Sequence, residues 1–259
     1  MSRRRAVLAL IGAGAVVLVW TVVAARRPTV LVPSPAETAV RLAELADGPL
    51  WSELGRTMWR GARGSTLAVI GGVALGLGAG SWPSFDALSR PLRAVLVGIP
   101  PIITVVLVSL WVGLDGDAAP WVVALATMPF VWLATAEAVK AIDPDVVEMA
   151  AGLHVSPWWR LSRLTLPAVA APVAAAAASV VATSVRLTIM AELLSGSDGV
   201  GARIARARTT LDTPEVFAWA VVAIALALLL ETAALRVGER PRRAWPGRQQ
   251  LYSSSAPAG

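Results

Sequence analysis

Six runs of apolar residues with almost no charge inside them dominate this sequence: Ala6 to Ala25, Ser65 to Trp82, Leu92 to Val112, Trp121 to Val139, Ala168 to Leu187 and Val216 to Leu235. At about 1.5 Å of rise per residue, a helix of roughly 18–21 residues crosses a hydrocarbon layer about 30 Å thick. Backbone polar groups inside such a layer must bond within their own segment, so each run is expected to be a membrane helix rather than a strand. The expected fold class is all-α: a polytopic membrane protein with six transmembrane helices, an N-terminal helix plus a five-helix core. The chain is 56% hydrophobic and 15% charged, against about 25% charged in soluble domains. That argues against a soluble enzyme and against a disordered chain. With no cysteine, thiol nucleophiles, disulfides and thiolate metal sites are absent as well.

The first run is bracketed by Arg3, Arg4 and Arg5 in front and Arg26 and Arg27 behind. A cleaved signal peptide is the alternative, helped by Ala24 and Ala25, but its apolar core spans only about 7–15 residues; an uncleaved helix is expected. Lys and Arg together number 23 against 17 Asp and Glu, a net +6. Nucleic-acid binding is not the expectation, because the arginines flank the apolar runs and no compact basic domain exists. With the N-terminus in the cytoplasm, Arg90, Arg93, Lys140, Arg160, Arg163 and the arginines after the last run join Arg3 to Arg5 inside. Arg26, Arg27, Arg41, Arg56, Arg60, Arg63, Arg203, Arg206 and Arg208 fall outside, a smaller set. The stretch between Trp111 and Trp121, with Asp115 and Asp117 and no positive charge, agrees with this topology. Trp82, Trp111 and Trp121 stand at run ends, where an interfacial belt places them. The expected location is therefore a plasma (inner) membrane, multi-pass, with both termini cytoplasmic.

The expected organisation is an N-terminal transmembrane helix over 1–27, an external linker over 28–64, a transmembrane domain over 65–236, and a cytoplasmic disordered tail over 237–259. Within the linker, Ser34-Pro35-Ala36-Glu37 supplies an N-cap, a proline at the first helical position and the Glu of a capping box. A short amphipathic helix is expected from Pro35 to about Ala46, stopped at Asp47-Gly48.

Gly72, Gly76 and Gly80 recur at i+4 and mark a close helix–helix approach, either a moving interface or ordinary tight packing. Pro100 and Pro101 fall near the middle of the third run and leave the carbonyls of Leu96 and Val97 without helical donors. A kink lining a solute pathway is one expectation, a purely structural kink the other. Arg186, near the outer end of the fifth run, is a costly charge in a span. It either attracts an anionic solute or snorkels outward or pairs with Glu192; Pro100, Pro101, Arg186 and Glu192 are the candidate pathway residues.

Catalytic material is scarce: one His, one Tyr, and no H-E-x-x-H, G-x-S-x-G or clustered carboxylates. The only lysine, Lys140, lies in Val-Lys-Ala, so no P-loop exists. The chain is expected to be no enzyme, to bind no metal and no cofactor, and to draw any energy from a partner. The loop over 140–167 is the most informative stretch. Asp143-Pro144 and Ser156-Pro157 are two helix-start signals, predicting one short helix to about Leu153 and a second through Trp158, Trp159, Arg160 and Leu161 up to Leu166-Pro167.

This loop resembles the cytoplasmic signature of permease subunits of binding-protein-dependent ABC importers: Glu-Ala-Ala, a Gly seventh, an aliphatic residue seventeenth, and Leu-Pro to finish. Glu148, Ala150, Leu164, Leu166 and Pro167 match; Met149 stands for the first alanine and His154 for the glycine. That glycine serves a turn with positive φ, which His tolerates better than most residues; alternatively Gly152 takes over the turn. Leu31-Val32-Pro33-Ser34-Pro35, Gly98-Ile99-Pro100-Pro101 with Leu110-Trp111-Val112-Gly113, and Ala191-Glu192-Leu193-Leu194 with Gly199-Val200-Gly201 are similar to landmarks of the nitrate, sulfonate and taurine branch. The resemblance implies a solute pathway formed by two permease copies, a homodimer, with two ABC ATPase subunits docked on the coupling loops and an external solute-binding protein. Glu148, Ala150 and the His154 region would enter an ATPase cleft, with Met149, Gly152, Leu164, Leu166 and Pro167 in the same coupling loop and ATP used by that partner. It implies as substrate a small anion or an organosulfur or nitrogen compound such as sulfonate, taurine or nitrate. The alternatives are an importer for another solute such as a thiamine precursor, and an ion-gradient-driven secondary transporter, which would need intramembrane carboxylates or repeated halves.

Overall fold

A computed structural model describes residues 3–28, 31–113 and 118–238. The tail beyond Gly238 and the Asp115 and Asp117 stretch lie outside the described residues. Within them every regular element is helical: α1 Arg3–Ala25, α2 Pro35–Ala46, α3 Leu50–Ser81, α4 Pro83–Gly98, α5 Pro101–Val112, α6 Ala118–Lys140, α7 Pro144–Gly152, α8 Pro157–Arg160, α9 Leu166–Ser195, α10 Val200–Thr209 and α11 Thr213–Gly238. Four helical segments among the described residues are long and apolar enough to cross a membrane: Leu50–Ser81, Ala118–Lys140, Pro157–Ser195 and Thr213–Ala234. The pair α4 and α5 makes a fifth if counted as one span, and Ile11–Ala25 of α1 is a shorter apolar helix. Against the six spans expected, the described residues therefore hold four helices of crossing length, or five with the bent pair, and three boundaries differ.

The second span starts earlier than the apolar run. Leu50 to Gly64, expected as linker, is the first half of the continuous α3, where Glu53, Arg56 and Arg60 share one helix face and are paired there. The third run is not a single kinked helix. Gly98 ends α4, Pro100 serves as the N-cap of α5, and the two helices meet at a bend of 103°. Two consecutive prolines remove two donors and the residue before a proline is driven out of the α region, so the helix stops instead of kinking. The fifth run begins earlier too: α8 passes through a π turn, Leu161–Thr165, directly into α9 as one helical segment of 39 residues. The Leu166 N–H reaches the Leu161 carbonyl five residues back. This wider turn accommodates Pro167, which has no N–H and whose ring would press on the carbonyl four residues earlier.

The short helices follow their caps. Ser34 accepts from the Glu37 N–H at 3.2 Å while the Glu37 carboxylate accepts the Ser34 N–H at 2.7 Å, so the capping box of α2 is closed. Asp143 caps α7 by accepting from the Asp145 N–H at 3.0 Å.

The chain forms two compact units: the described parts of Met1–Leu67, Ile99–Ala126 and Thr183–Leu228 in one, and of Ala68–Gly98, Thr127–Ala182 and Leu229–Gly259 in the other. The first unit has two apolar clusters, one around Leu45, Leu50, Val200 and Trp219, the other around Val105, Val108, Val122 and Ala191. Trp20 of α1 stacks on Phe217 at 5.7 Å and donates its indole N–H to the Pro33 carbonyl at 2.9 Å. Arg41 of α2 bonds Asp212 at 2.7 Å and Glu215 at 2.9 Å. The Glu44 hydrogen bond and the charges of Asp212 and Glu215 hold the Arg41 guanidinium above its ordinary range. In the second unit, a Cβ on Gly72 would lie 2.6 Å from the Val131 Cβ, and one on Gly80 would lie 2.5 Å from the Val139 Cβ; Gly76 faces Thr135 in the same way. Advancing together along both helices, these pairs make α3 and α6 parallel neighbours in close backbone contact. Gly64 meets Val123 in the same register within the first unit.

Candidate functional site

In α7 the first turn carries Asp145, Ala150 is buried, and Glu148 and Met149 point to solvent. Beyond the helix the chain leaves Leu153 at 69% exposure and Trp158 at 72%. Glu148, Met149, Leu153 and Trp158 together present an apolar, singly acidic surface, in a segment whose neighbours Ala150 and Val155 turn inward. Exposed apolar groups gathered in one short stretch call for a partner to cover them.

The turn after α7 falls to His154. Its φ is 50°, in the left-handed region, and its Nδ1 lies 3.0 Å from the Gly152 carbonyl oxygen. Gly152 stays helical as the last residue of α7, with open space where a Cβ would stand. Of the two readings of this turn, the structure therefore has His154 in the glycine's role. Leu164 lies in the π turn, and Leu166 and Pro167 open α9 without interrupting the helix. The expected second short helix is thus the first turn of a long one.

The entry to α7 is pinned by a cluster in the same unit. The Lys140 ammonium donates to Asp86 at 3.0 Å and to Glu137 at 3.2 Å. Arg93 and Arg90 approach the same Asp86 carboxylate at 3.3 and 3.4 Å, and the Arg93 guanidinium lies 5.7 Å from the Trp132 ring centroid. The lone lysine is thus a tether between the start of α4 and the end of α6.

The four candidate pathway residues differ in burial. Pro100 and Pro101 are exposed at the α4–α5 break, and Arg186 is exposed on α9. Glu192 is fully buried, so it lines no open path in this conformation. Six residues separate Arg186 from Glu192, roughly 240° around a helix. The charge partner of Glu192 is instead Arg60, whose Nη1 lies 3.0 Å from Oε1. Thr57 donates to Oε2 at 2.8 Å and Gly201 N–H at 3.1 Å. Around this pair, Glu53 accepts from Gly199 N–H at 2.6 Å and from both Nε and Nη2 of Arg203, at 3.0 and 2.9 Å. Arg56 bridges Glu53 at 3.1 Å and Asp198 at 3.2 Å, and Arg60 also binds Asp198. Three carboxylates and three guanidiniums thus interlock α3, the end of α9 and the start of α10.

This network explains Gly199-Val200-Gly201. Gly199 adopts φ +97°, and a Cβ there would collide with the Glu192 carboxylate; one on Gly201 would strike the Glu192 side chain and the Ile189 carbonyl. Sequence reasoning missed Glu53, Thr57, Arg60, Asp198 and Arg203. The signal was available in the i, i+4, i+7 spacing of Glu53, Thr57 and Arg60, which is one face of a helix. Among the described residues no group of His, Cys, Asp or Glu is placed to hold a metal ion.

Residues 68–237 match the family described as "Binding-protein-dependent transport system inner membrane component". The chain is 26% identical, over 89% of its length and 84% of the relative, to a Bacillus subtilis protein named for aliphatic sulfonates transport, the permease SsuC. It is 25% identical to the taurine transport system permease protein TauC of Escherichia coli, over 95% of this chain and 92% of that one. A riboflavin transport system permease protein, RibX of Chloroflexus aurantiacus, is 28% identical over 82% of this chain and 78% of its own length. Among solved structures, an amino acid ABC transporter chain superposes with a TM-score of 0.62 at 15% identity, covering 79% of this chain and 98% of that one. At that identity the likeness concerns the fold.

Proposed function

The chain belongs to the family of binding-protein-dependent transport system inner membrane components, and from that premise we propose that it forms the solute pathway of an ABC importer whose ATP hydrolysis occurs on a separate ATPase subunit docked at α7. The observation that carries this reading is the exposed surface of Glu148, Met149, Leu153 and Trp158, in and just after a helix that directly follows the end of α6, which Lys140 ties to Asp86 of α4. A short helix transmits force only if its base is rigid, and both the Asp143 cap and the ion cluster at its base supply that. Cytoplasmic placement of α7, cytoplasmic termini and a sixth span in α1 complete the topology. The parallel register of α3 and α6 supports counting α4 with α5 as one returning span. A second copy of the chain and an external binding protein complete the assembly.

We place the substrate among small anions and organosulfur or nitrogen compounds such as sulfonate, taurine or nitrate, supported by the sulfonate and taurine permeases above. The RibX relative, at similar identity, makes riboflavin the competing cargo. A secondary transporter is disfavoured by the family match, and the one fully buried carboxylate of α9 is matched by Arg60 rather than left to a proton or ion. The decisive experiment is Glu148→Arg in the intact assembly. Loss of both ATPase co-purification and substrate uptake, with normal membrane insertion, is expected. Normal assembly and uptake would refute docking at α7. Uptake of labelled taurine, nitrate and riboflavin by the same vesicles separates the substrate readings.

A further inference from the structure

A groove of about 530 Å³ opens beside the last turn of α3, with Ala74, Leu77 and Gly78 on its apolar wall and Trp82 at its edge. Its opposite wall begins the segment that becomes α9, contributing Arg160 and Thr165. The membrane-crossing segment Leu50–Ser81 ends here and the segment Pro157–Ser195 starts here. The groove therefore lies at the level where hydrocarbon gives way to headgroups. Trp82, 66% exposed, stands at that level as interfacial aromatic residues do. Arg160 is partly buried, yet its guanidinium has no hydrogen-bond or ion-pair partner among the described residues. A partly desolvated cation with an apolar wall beside it is complementary to one kind of molecule in a bilayer.

We propose that this groove binds an anionic phospholipid, its phosphate on the Arg160 guanidinium with the Thr165 hydroxyl as a second donor, and an acyl chain along Ala74 and Leu77. A free anion would use Arg160 and Thr165 but leave the apolar wall bare, so the lipid is the occupant that accounts for both. The inference rests on the membrane location and is independent of ATPase docking at α7. The lipid would hold the base of α8 to the end of α3 and so steady the helix that follows the His154 turn.

The test is native mass spectrometry of the full chain in detergent, supplied with equal phosphatidylglycerol and phosphatidylcholine. The wild type is expected to retain phosphatidylglycerol preferentially, and Arg160→Gln to lower that preference about fivefold, the factor one interfacial arginine is worth. Arg160→Lys should keep most of it. Ala74→Leu, at an exposed position of the wall, should reduce bound phosphatidylglycerol with the charge intact, which separates groove filling from misfolding. An unchanged lipid ratio in Arg160→Gln overturns the proposal. So does an equal drop in Arg208→Gln, on the exposed side of α10, or displacement of the lipid by equimolar deacylated glycerophosphoglycerol, which would mark a small-anion site.

Discussion

Glu192 is a charge placed where charges are most expensive, and its surroundings are arranged to offset that cost. Its two oxygens receive bonds from Thr57, Arg60 and the Gly201 N–H. Removing the counter-charge by Arg60→Met should cost about 3–5 kcal/mol, since a buried carboxylate is left uncompensated. Glu192→Gln should cost less, because the amide keeps the Thr57 contact; denaturation followed in detergent distinguishes the two. His154 illustrates a different residue-scale constraint. A non-glycine residue at φ 50° carries roughly 1 kcal/mol of backbone strain, or more if β-branched. His154→Gly should be neutral or up to about 1 kcal/mol more stable, His154→Val less stable by about 1–2 kcal/mol. Gly152→Ala should gain about 0.5–1 kcal/mol, because the position is helical and the space for a Cβ is open.

At the scale of elements, glycines of similar appearance in the sequence have opposite meanings. Gly76 sits in the α3–α6 seam with no room for a Cβ, whereas Gly12 of α1 has nothing within 4 Å. Gly76→Leu is therefore expected to separate the helices at a cost of about 1–3 kcal/mol or more, and Gly12→Leu to leave thermal stability unchanged. The tether between α4 and α6 makes its own prediction. With Asp86→Asn, Lys140, Arg93 and Arg90 lose their shared carboxylate, and amide hydrogen exchange should quicken in α7 and the residues leading into it. Unchanged exchange there would mean that the Asp143 cap alone holds the helix. How far such features were legible depended on the range of the interaction. The capping box at Ser34 and the cap at Asp143 involve neighbours in sequence, and both helices appear as expected. The break at Pro100-Pro101 was visible as a disturbance, but whether two prolines kink or end a helix depends on where the chain goes next.

For the whole molecule, one unit carries the ion-pair network around Glu192 and the other carries α7 with its tether. In the assembled importer, Arg186→Gln tests the charged pathway candidate: a role in attracting an anionic solute predicts weaker uptake of an anionic substrate, seen as a raised half-saturating concentration, with uptake of a neutral one unaltered. Of the candidate coupling residues, Glu148 and Met149 are exposed on a capped helix and Ala150 is buried. The spacing of Glu53, Thr57 and Arg60 marked one helix face, but not what it faces: their partners Glu192, Gly199 and Arg203 lie more than 130 positions away in the chain.

What the sequence determined alone is what depends on local spacing and on solvent: apolar length sufficient for membrane helices, the caps of α2 and α7, the absence of a P-loop, and the motif that relates the chain to importer permeases. What the tertiary structure decided is everything that needs a partner distant in sequence. Glu192 pairs with Arg60 across 132 positions and Lys140 with Asp86 across 54. His154 takes the left-handed turn, and the π turn carries the chain through Pro167 into α9. The physical reason is that desolvation and close packing are properties of neighbours in space, and a one-dimensional pattern records them only where those neighbours are also close in the chain.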